Sequence, residues 1–221
     1  MIDLKEDVLM RAAALDFGDP AEAWPSVTAR AEKSPLARVP GSLRHLEDFP
    51  ELPATTTIVP AAVLVPLVDR PEGLTILLTR RTDHLSAHAG QISFPGGRQD
   101  EPDLTPLETA LRETEEEIGL ARRNVRVIAR LDNYLVGTGF RITPLLGLVA
   151  PPFELSPDPF EVAEVFEVPL GLALEPENYT RESRHIAGRE RRFNVLRYGD
   201  YYIWGATASI LVNLRHALVG R

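Results

Sequence analysis

GGRQDEPDLTPLETALRETEEEIGL, residues 96–120, carries the reading of this chain. A glycine pair follows Phe94-Pro95, and a loop rich in Asp comes next. Pro106 suits the first turn of a helix, and Gly119 is a natural stop, so a helix is expected from Pro106 to about Ile118. An α-helix turns about 100° per residue, which puts positions i, i+3 and i+4 on one face. Glu113, Glu116 and Glu117 therefore project together, whereas Glu115 points roughly 200° away from Glu113 and reads as a solvated side chain. Neighbouring like charges destabilise a helix unless something neutralises them. A hard divalent cation such as Mg²⁺ would do so, and would also hold a substrate phosphate.

Upstream, IVPAAVLVPLVD (58–69) reads as a buried strand. Arg70-Pro71-Glu72-Gly73 is a turn, and LTILLTRR returns as the second arm of a hairpin. Residues 83–93 form a loop, and Ile92–Pro95 is a short strand. Downstream, Val125–Ala129, Tyr134–Val136 and Ile142–Val149 are strands, the last expected at an edge or bulged because of Pro144. APPFELSPDP (150–159) is a rigid loop, and EVAEVFEVPL (161–170) is strand-like. Residues 179–204 read as a hairpin around Gly188 followed by a strand to Trp204, after which Gly205 opens a final amphipathic helix. Near the start, Leu4, Val8, Leu9, Ala12 and Leu15 have a helical period. Residues 16–57 look irregular, with a short helix near 43–49. Mostly strands with two dominant, well-separated helices suit an α+β fold, a mixed sheet covered by helices on both sides.

The 221 residues suit one sizeable domain with an extension. At 44% hydrophobic and 25% charged the composition is that of a globular protein. A formal net charge of −8 argues against a nucleic-acid backbone as partner, but not against small phosphate substrates held by metal and local arginines. There is no cysteine, hence no disulfide and no thiol chemistry. The first residues carry acids and no apolar core, so no signal peptide is expected. The run near Val59–Val68 is too short and too proline-broken to span a bilayer. A cytoplasmic protein without a membrane partner is the expectation.

The 96–120 stretch resembles the Nudix box, G-x5-E-x7-R-E-U-x-E-E-x-G-U with U aliphatic. Arg112-Glu113 supplies R-E, Glu116-Glu117 supplies E-E, and Gly119-Leu120 supplies G-U. Arg112 lies one position further from Gly97 than in the pattern. The first Glu of the pattern falls on Asp103 counted from the glycine and on Leu104 counted from the arginine, and Thr114 stands at the first aliphatic site. The resemblance implies a Nudix α/β/α sandwich over residues 58–221; residues 1–57 read as a helical and irregular N-terminal extension without an assigned function, for which packing on the domain and packing on a second copy in a homodimer are the open alternatives. The resemblance also implies hydrolysis of a nucleoside diphosphate linked to another group, with Mg²⁺ or Mn²⁺.

LLTRRTDHLSAHAGQISFPGG (77–97) is similar to the added signature of the coenzyme A diphosphatase branch, L-L-T-x-R-(S/A)-x3-R-x3-G-x3-F-P-G-G. Leu77, Leu78, Thr79, Arg81, Gly90, Phe94, Pro95, Gly96 and Gly97 match in register; Thr82 and Ser86 depart. Residues 161–170 and 201–211 also resemble that branch. Coenzyme A or an acyl derivative is then the implied substrate, with ADP-ribose, dinucleotides and nucleotide sugars as alternatives. Another class of reading is a nucleotide-sensing Nudix module without turnover.

Within this reading Glu113 and Glu117 are the first metal ligands, Glu116 is a third ligand or water-orienting base, and the Gly97 carbonyl completes the shell. Arg112 either binds phosphate or pairs with a neighbouring carboxylate to hold the helix face. Arg81 contacts substrate or braces the helix. His88 and Gln91 are substrate-binding candidates. Glu161, with Glu164 behind it, is the candidate for a base from a later loop. Arg181, Arg184, Arg189, Arg191 and Arg192 either attract the extra phosphate of coenzyme A or pair with surface acids.

Overall fold

Val59–Arg70 (β1) and Gly73–Arg81 (β2) form the expected hairpin, pairing from Leu67↔Ile76 to Arg70↔Gly73. The protein is described by a computed structural model that covers residues 4–14, 57–84, 89–186 and 189–219. The expected helix near 43–49, Ser86, His88 and Gly188 lie outside these residues.

After β2 come Ile92–Ser93 (β3), Gly96–Arg98 (β4), the helix Pro106–Ile118 (α2), Val125–Arg130 (β5), Tyr134–Leu135 (β6), Phe140–Val149 (β7) and Val162–Pro169 (β8). All eight strands share one sheet, ordered β3-β2-β1-β7-β5, with β4 on β1, β6 on β7 and β8 on β2. The β1–β7 pair is parallel and the others antiparallel, so the sheet is mixed. A second sheet, β11-β10-β9, comprises Tyr179–Ile186 (β9), Arg189–Tyr198 (β10) and Tyr201–Trp204 (β11). Leu4–Ala14 (α1), Leu170–Leu174 (α3) and Gly205–Val219 (α4) complete the elements used below. Among the described residues, no helix is long and apolar enough to cross a membrane.

Side chains of a strand alternate between faces. On β1, Leu64 and Val68 pack with Ile118 and Leu120 at the end of α2, and Ala62 meets Ala110 of α2. Val65 and Leu67 point the other way, into the larger core with Ile210, Leu211 and Leu214 of α4. One face of the sheet thus carries α2 and the other α4, the α/β/α layering of a mixed α+β fold. Val8 and Ala12 place α1 in the α4-side core as well.

Three expectations are corrected. Pro144 does not put β7 at an edge: β7 lies between β1 and β5, and the bulge allowed as the alternative falls in the β5–β7 ladder at Val127/Ala129, opposite Gly147 and Leu146. The Pro144 carbonyl accepts from Leu131 N–H at 2.9 Å, so the missing N–H of the proline faces the 131–133 gap between β5 and β6, where the ladder is already interrupted. The strand expected over Ile92–Pro95 is Ile92–Ser93 alone, and the glycine pair after it belongs to β4, where Gly97 pairs with Ala62 and Gly96 with Val63. Finally, α4 is not amphipathic. Thr207 through Leu214 are all buried, because α3, α1 and both sheets enclose the helix.

Candidate active site

The first turn of α2 is fixed by sequence. Thr105 accepts from Glu108 N–H at 3.1 Å, and the Glu108 carboxylate accepts from Thr105 N–H at 3.0 Å, a reciprocal cap with Pro106 in the first turn. Gly119 ends the helix at φ 68°, in the left-handed region that favours glycine. The 150–161 loop then continues the cap. Ser156 N–H donates to the Ile118 carbonyl at 2.8 Å, and Asp158 N–H to the Glu117 carbonyl at 2.9 Å. Thr82 anchors the far side of this loop, donating its hydroxyl to Phe160 O at 2.8 Å and its N–H to Glu161 O at 3.0 Å. These bonds bring Glu161 beside the end of β2.

Glu117 is buried and accepts from Gly96 N–H at 3.1 Å. Burial pushes its carboxyl up to about 7; the Gly96 N–H and Arg81 oppose the shift, and the charges of Glu113 and Glu161 add to it. Burial also raises the half-buried Glu113, against the pull of Arg112, with Glu116 and Glu161 adding. Arg81 stands between two carboxylates, 3.8 Å from Glu117 Oε1 and 3.8 Å from Glu161 Oε2. Both separations exceed a hydrogen bond. Gly97 lies so close to Glu113 that an added Cβ would sit 2.5 Å from its Cδ and 2.6 Å from both oxygens. Glu113, Glu117, Glu161, Arg81 and the glycine pair therefore share one site on the α2 face of the sheet.

Glu116 is arranged differently. Its carboxylate is exposed and accepts from Arg112 Nη1 at 2.8 Å. Arg112 behaves as a brace: it also reaches Asp103 at 2.8 Å and Glu113 at 3.0 Å, and donates to the Arg98 carbonyl at 3.3 Å. Asp103 is buried and also accepts from the Thr109 hydroxyl at 2.8 Å and from Asp100 N–H at 3.2 Å. The bond from Arg112 holds its carboxyl below the ordinary range. Leu104 is 70% exposed, so of the two residues that could stand for the first Glu of the pattern, Asp103 is the one tied to the arginine. Asp103 was absent from the candidate site residues. Its sequence signals are the count from Gly97 and an acid two positions before a helix cap.

Gln91 and Glu164 belong elsewhere. The Gln91 carbonyl accepts from Arg81 N–H at 3.0 Å, but its side chain lines a cleft on the α4 face. Glu164 is bound to Arg80 at 3.3 Å and accepts from the Tyr201 hydroxyl at 2.6 Å, away from Glu161. Of the arginine cluster, Arg184 lies 4.8 Å from the centre of the Trp204 ring. His88 lies outside the described residues.

Among the described residues, no group of three or more His, Cys, Asp or Glu side chains is gathered tightly enough to hold a metal. The donor set still suits Mg²⁺ or Mn²⁺, since Mg²⁺ takes one or two carboxylates and keeps several waters. Two crowded, desolvated carboxylates face a glycine backbone that leaves no room for a side chain. That is a pocket of oxygen donors with too little positive charge.

The NUDIX domain model matches residues 59–187. The curated protein "Uncharacterized Nudix hydrolase NudL" of Yersinia enterocolitica is 44% identical over 154 residues, 70% of this chain and 78% of its own length. The Yersinia pestis (strain Pestoides F) protein of the same name is 42% identical over 154 residues, 70% of this chain and 77% of its own. Among solved structures, a Nudix hydrolase from M. smegmatis, RenU, is 26% identical, covering 51% of this chain and 71% of its own, with a TM-score of 0.44.

Proposed function

The chain belongs to the Nudix family, and from that premise we propose that it hydrolyses the diphosphate of a nucleoside diphosphate linked to a second group, using Mg²⁺ or Mn²⁺. The observation that carries this reading is the buried Glu117 carboxylate, set beside Glu113, Arg81 and Glu161 and against the glycine pair. A diphosphate resists attack because its oxygens are anionic, so a hydrolase must supply positive charge and an oriented water.

When bound, the cation neutralises phosphate charge and makes its water more acidic. Glu113 and Glu117 would hold it, with the Gly97 carbonyl as a further oxygen donor. Gly96 N–H fixes one Glu117 oxygen, which orients the other. Arg81 offers its guanidinium to a phosphate oxygen. Glu161, half exposed beside Arg81, accepts the proton of the attacking water. The water oxygen bonds to phosphorus, the bridging P–O bond breaks, and the departing phosphate keeps the electron pair. Arg112 keeps the carboxylate face in order and stays out of the reaction.

Within this class, coenzyme A or an acyl derivative is the substrate favoured by the 77–97 stretch. Many matching residues there have structural roles: Leu77, Leu78 and Phe94 are core, and Thr79 bonds to Ser93. Arg81 is the matching residue whose side chain lies beside the carboxylates, 3.8 Å from Glu117 and from Glu161, which supports assigning it to a substrate phosphate. ADP-ribose, dinucleotides and nucleotide sugars present the same diphosphate to the same centre. The test is a mass-spectrometric turnover assay with Mg²⁺ or Mn²⁺, running coenzyme A, acetyl-coenzyme A, ADP-ribose, NADH and a nucleotide sugar side by side. Release of adenosine 3′,5′-bisphosphate from coenzyme A at the highest kcat/KM is expected. Preference for another diphosphate removes coenzyme A and keeps the centre; no release from any of them overturns the hydrolase reading.

A further inference from the structure

The two arginines beside the carboxylates are held in different ways. Arg112 is pinned at its tip, 2.8 Å from Asp103, 2.8 Å from Glu116 and 3.0 Å from Glu113. Arg81 is pinned at its backbone and loose at its tip. Its N–H donates to the Gln91 carbonyl at 3.0 Å, and the β2–β8 register shifts between Arg80 and Arg81, as where a bulge re-aims a side chain beside a site. Its guanidinium is partly exposed, and its acidic neighbours Glu117 and Glu161 each stand 3.8 Å away, beyond a hydrogen bond.

The placement is specific to one atom. Glu117 Oε2 accepts from Gly96 N–H at 3.1 Å, so that oxygen is committed to the backbone. Oε1 is the oxygen left for a cation, and it is the one that faces Arg81 Nη1. The other amino group, Nη2, faces Glu161 Oε2. One guanidinium thus straddles the carboxylate assigned to the metal and the one assigned to the base. Glu117 is buried, so charges gathered around it are weakly screened by water. A guanidinium and a divalent cation both set against Oε1 repel each other.

We infer that Arg81 is an internal counter-ion of the carboxylate site, displaced by the divalent cation and thereby freed to meet the diphosphate. The inference rests on the proposed metal site. Glu117 Oε1 exchanges one positive partner for another, and Arg81 turns on its fixed backbone toward the phosphate. A diphosphate that arrives alone finds this guanidinium engaged by two carboxylates; one that arrives with the cation finds it released. Arg81 therefore opposes the binding of metal alone, although it favours the diphosphate that follows.

The test is binding of Mn²⁺ alone to the full chain at pH 8, with free Mn²⁺ read by electron paramagnetic resonance. Arg81→Met keeps the apolar stem of the side chain and removes its charge. It is expected to tighten the dissociation constant of Mn²⁺ about tenfold, while turnover falls. Arg81→Gln, neutral and polar, is the second variant and should shift the constant in the same direction. Arg81→Lys keeps the charge and should stay within about threefold of the unaltered protein. An arginine with a merely structural role behaves otherwise, since its loss loosens the site and weakens the metal. Glu117→Gln is the control and should weaken Mn²⁺. If that control holds while neither neutral variant binds Mn²⁺ more tightly, the inference is overturned and the metal site stands. If Glu117→Gln leaves Mn²⁺ binding unchanged, or no saturable binding occurs at all, the metal site and the inference are both overturned.

Discussion

Gly97 shows how narrowly the site is drawn. A methyl group there would fall 2.5 Å from Glu113 Cδ, and the flexible carboxylate must swing away. Gly97→Ala is expected to melt within a few degrees of the unaltered protein yet lose about 10²-fold in kcat/KM, since a shift of about 1 Å costs that much. A variant that retains activity would show that Glu113 need not stand where it does. Asp103 makes the opposite case. It is buried under Arg112, so Asp103→Asn weakens the brace on Glu113 and Glu116 and costs about 2–3 kcal/mol, read by denaturant unfolding. A change below about 0.5 kcal/mol would show that Arg112 is held by its other partners. Helical spacing made Glu113 and Glu117 legible as a pair. It could not show that Glu116 turns to Arg112, because an i,i+4 ion pair and a shared ligand face have the same spacing in sequence. The first acidic position of the pattern was legible only as two neighbouring choices, Asp103 and Leu104; the spacing left both open, and the burial of Asp103 under Arg112 separates them.

At the scale of elements, α2 and the 150–161 loop act together. A Cβ on Gly119 would meet Ser156 N at 2.8 Å, and the residue sits at φ 68°. Gly119→Ala is expected to cost about 1–2 kcal/mol and to lower activity, because the same loop carries Glu161 to Arg81. Thermal melts and kcat/KM check both, and a stable, fully active variant would detach the loop from the site. Start and stop of α2 were plain from Pro106 and Gly119. The place of β7 was not: a proline argues for an edge, and only the break between β5 and β6 lets Pro144 sit inside the sheet. The strand-like stretch expected over 161–170 ends at Pro169, and Leu170 instead opens a short helix to Leu174.

For the whole molecule, hydrolytic capacity and stability oppose each other. The carboxyl of Glu117 rises from its ordinary 4.5 to about 7, so between those values the folded chain holds a proton that the unfolded chain has lost. Stability of the metal-free protein therefore falls as pH rises through that window, by an amount on the order of 2–3 kcal/mol, and Glu113 acts in the same direction. Asp103 has the opposite sign: its contribution is present above its ordinary 3.8 and is lost as acid protonates it. Melts from pH 5 to 8 should show the decline, Mg²⁺ should reverse it at pH 8, and Glu117→Gln should flatten it. A melting temperature that rises across this range would contradict the burial of a charged Glu117. The two-faced architecture was legible from strand order and helix spacing. The second sheet was not, since its strands carry the same alternation as the first and only tertiary pairing separates them.

Steady-state hydrolysis of coenzyme A and ADP-ribose with Mg²⁺, comparing the unaltered chain with Glu117→Gln, tests the hydrolytic centre most directly. Gln keeps the shape and the bond from Gly96 N–H but removes the charge. The expected result is unchanged circular dichroism with a loss of about 10³-fold or more in kcat. Turnover within about threefold of the unaltered protein would contradict the assignment of Glu117 to the reaction.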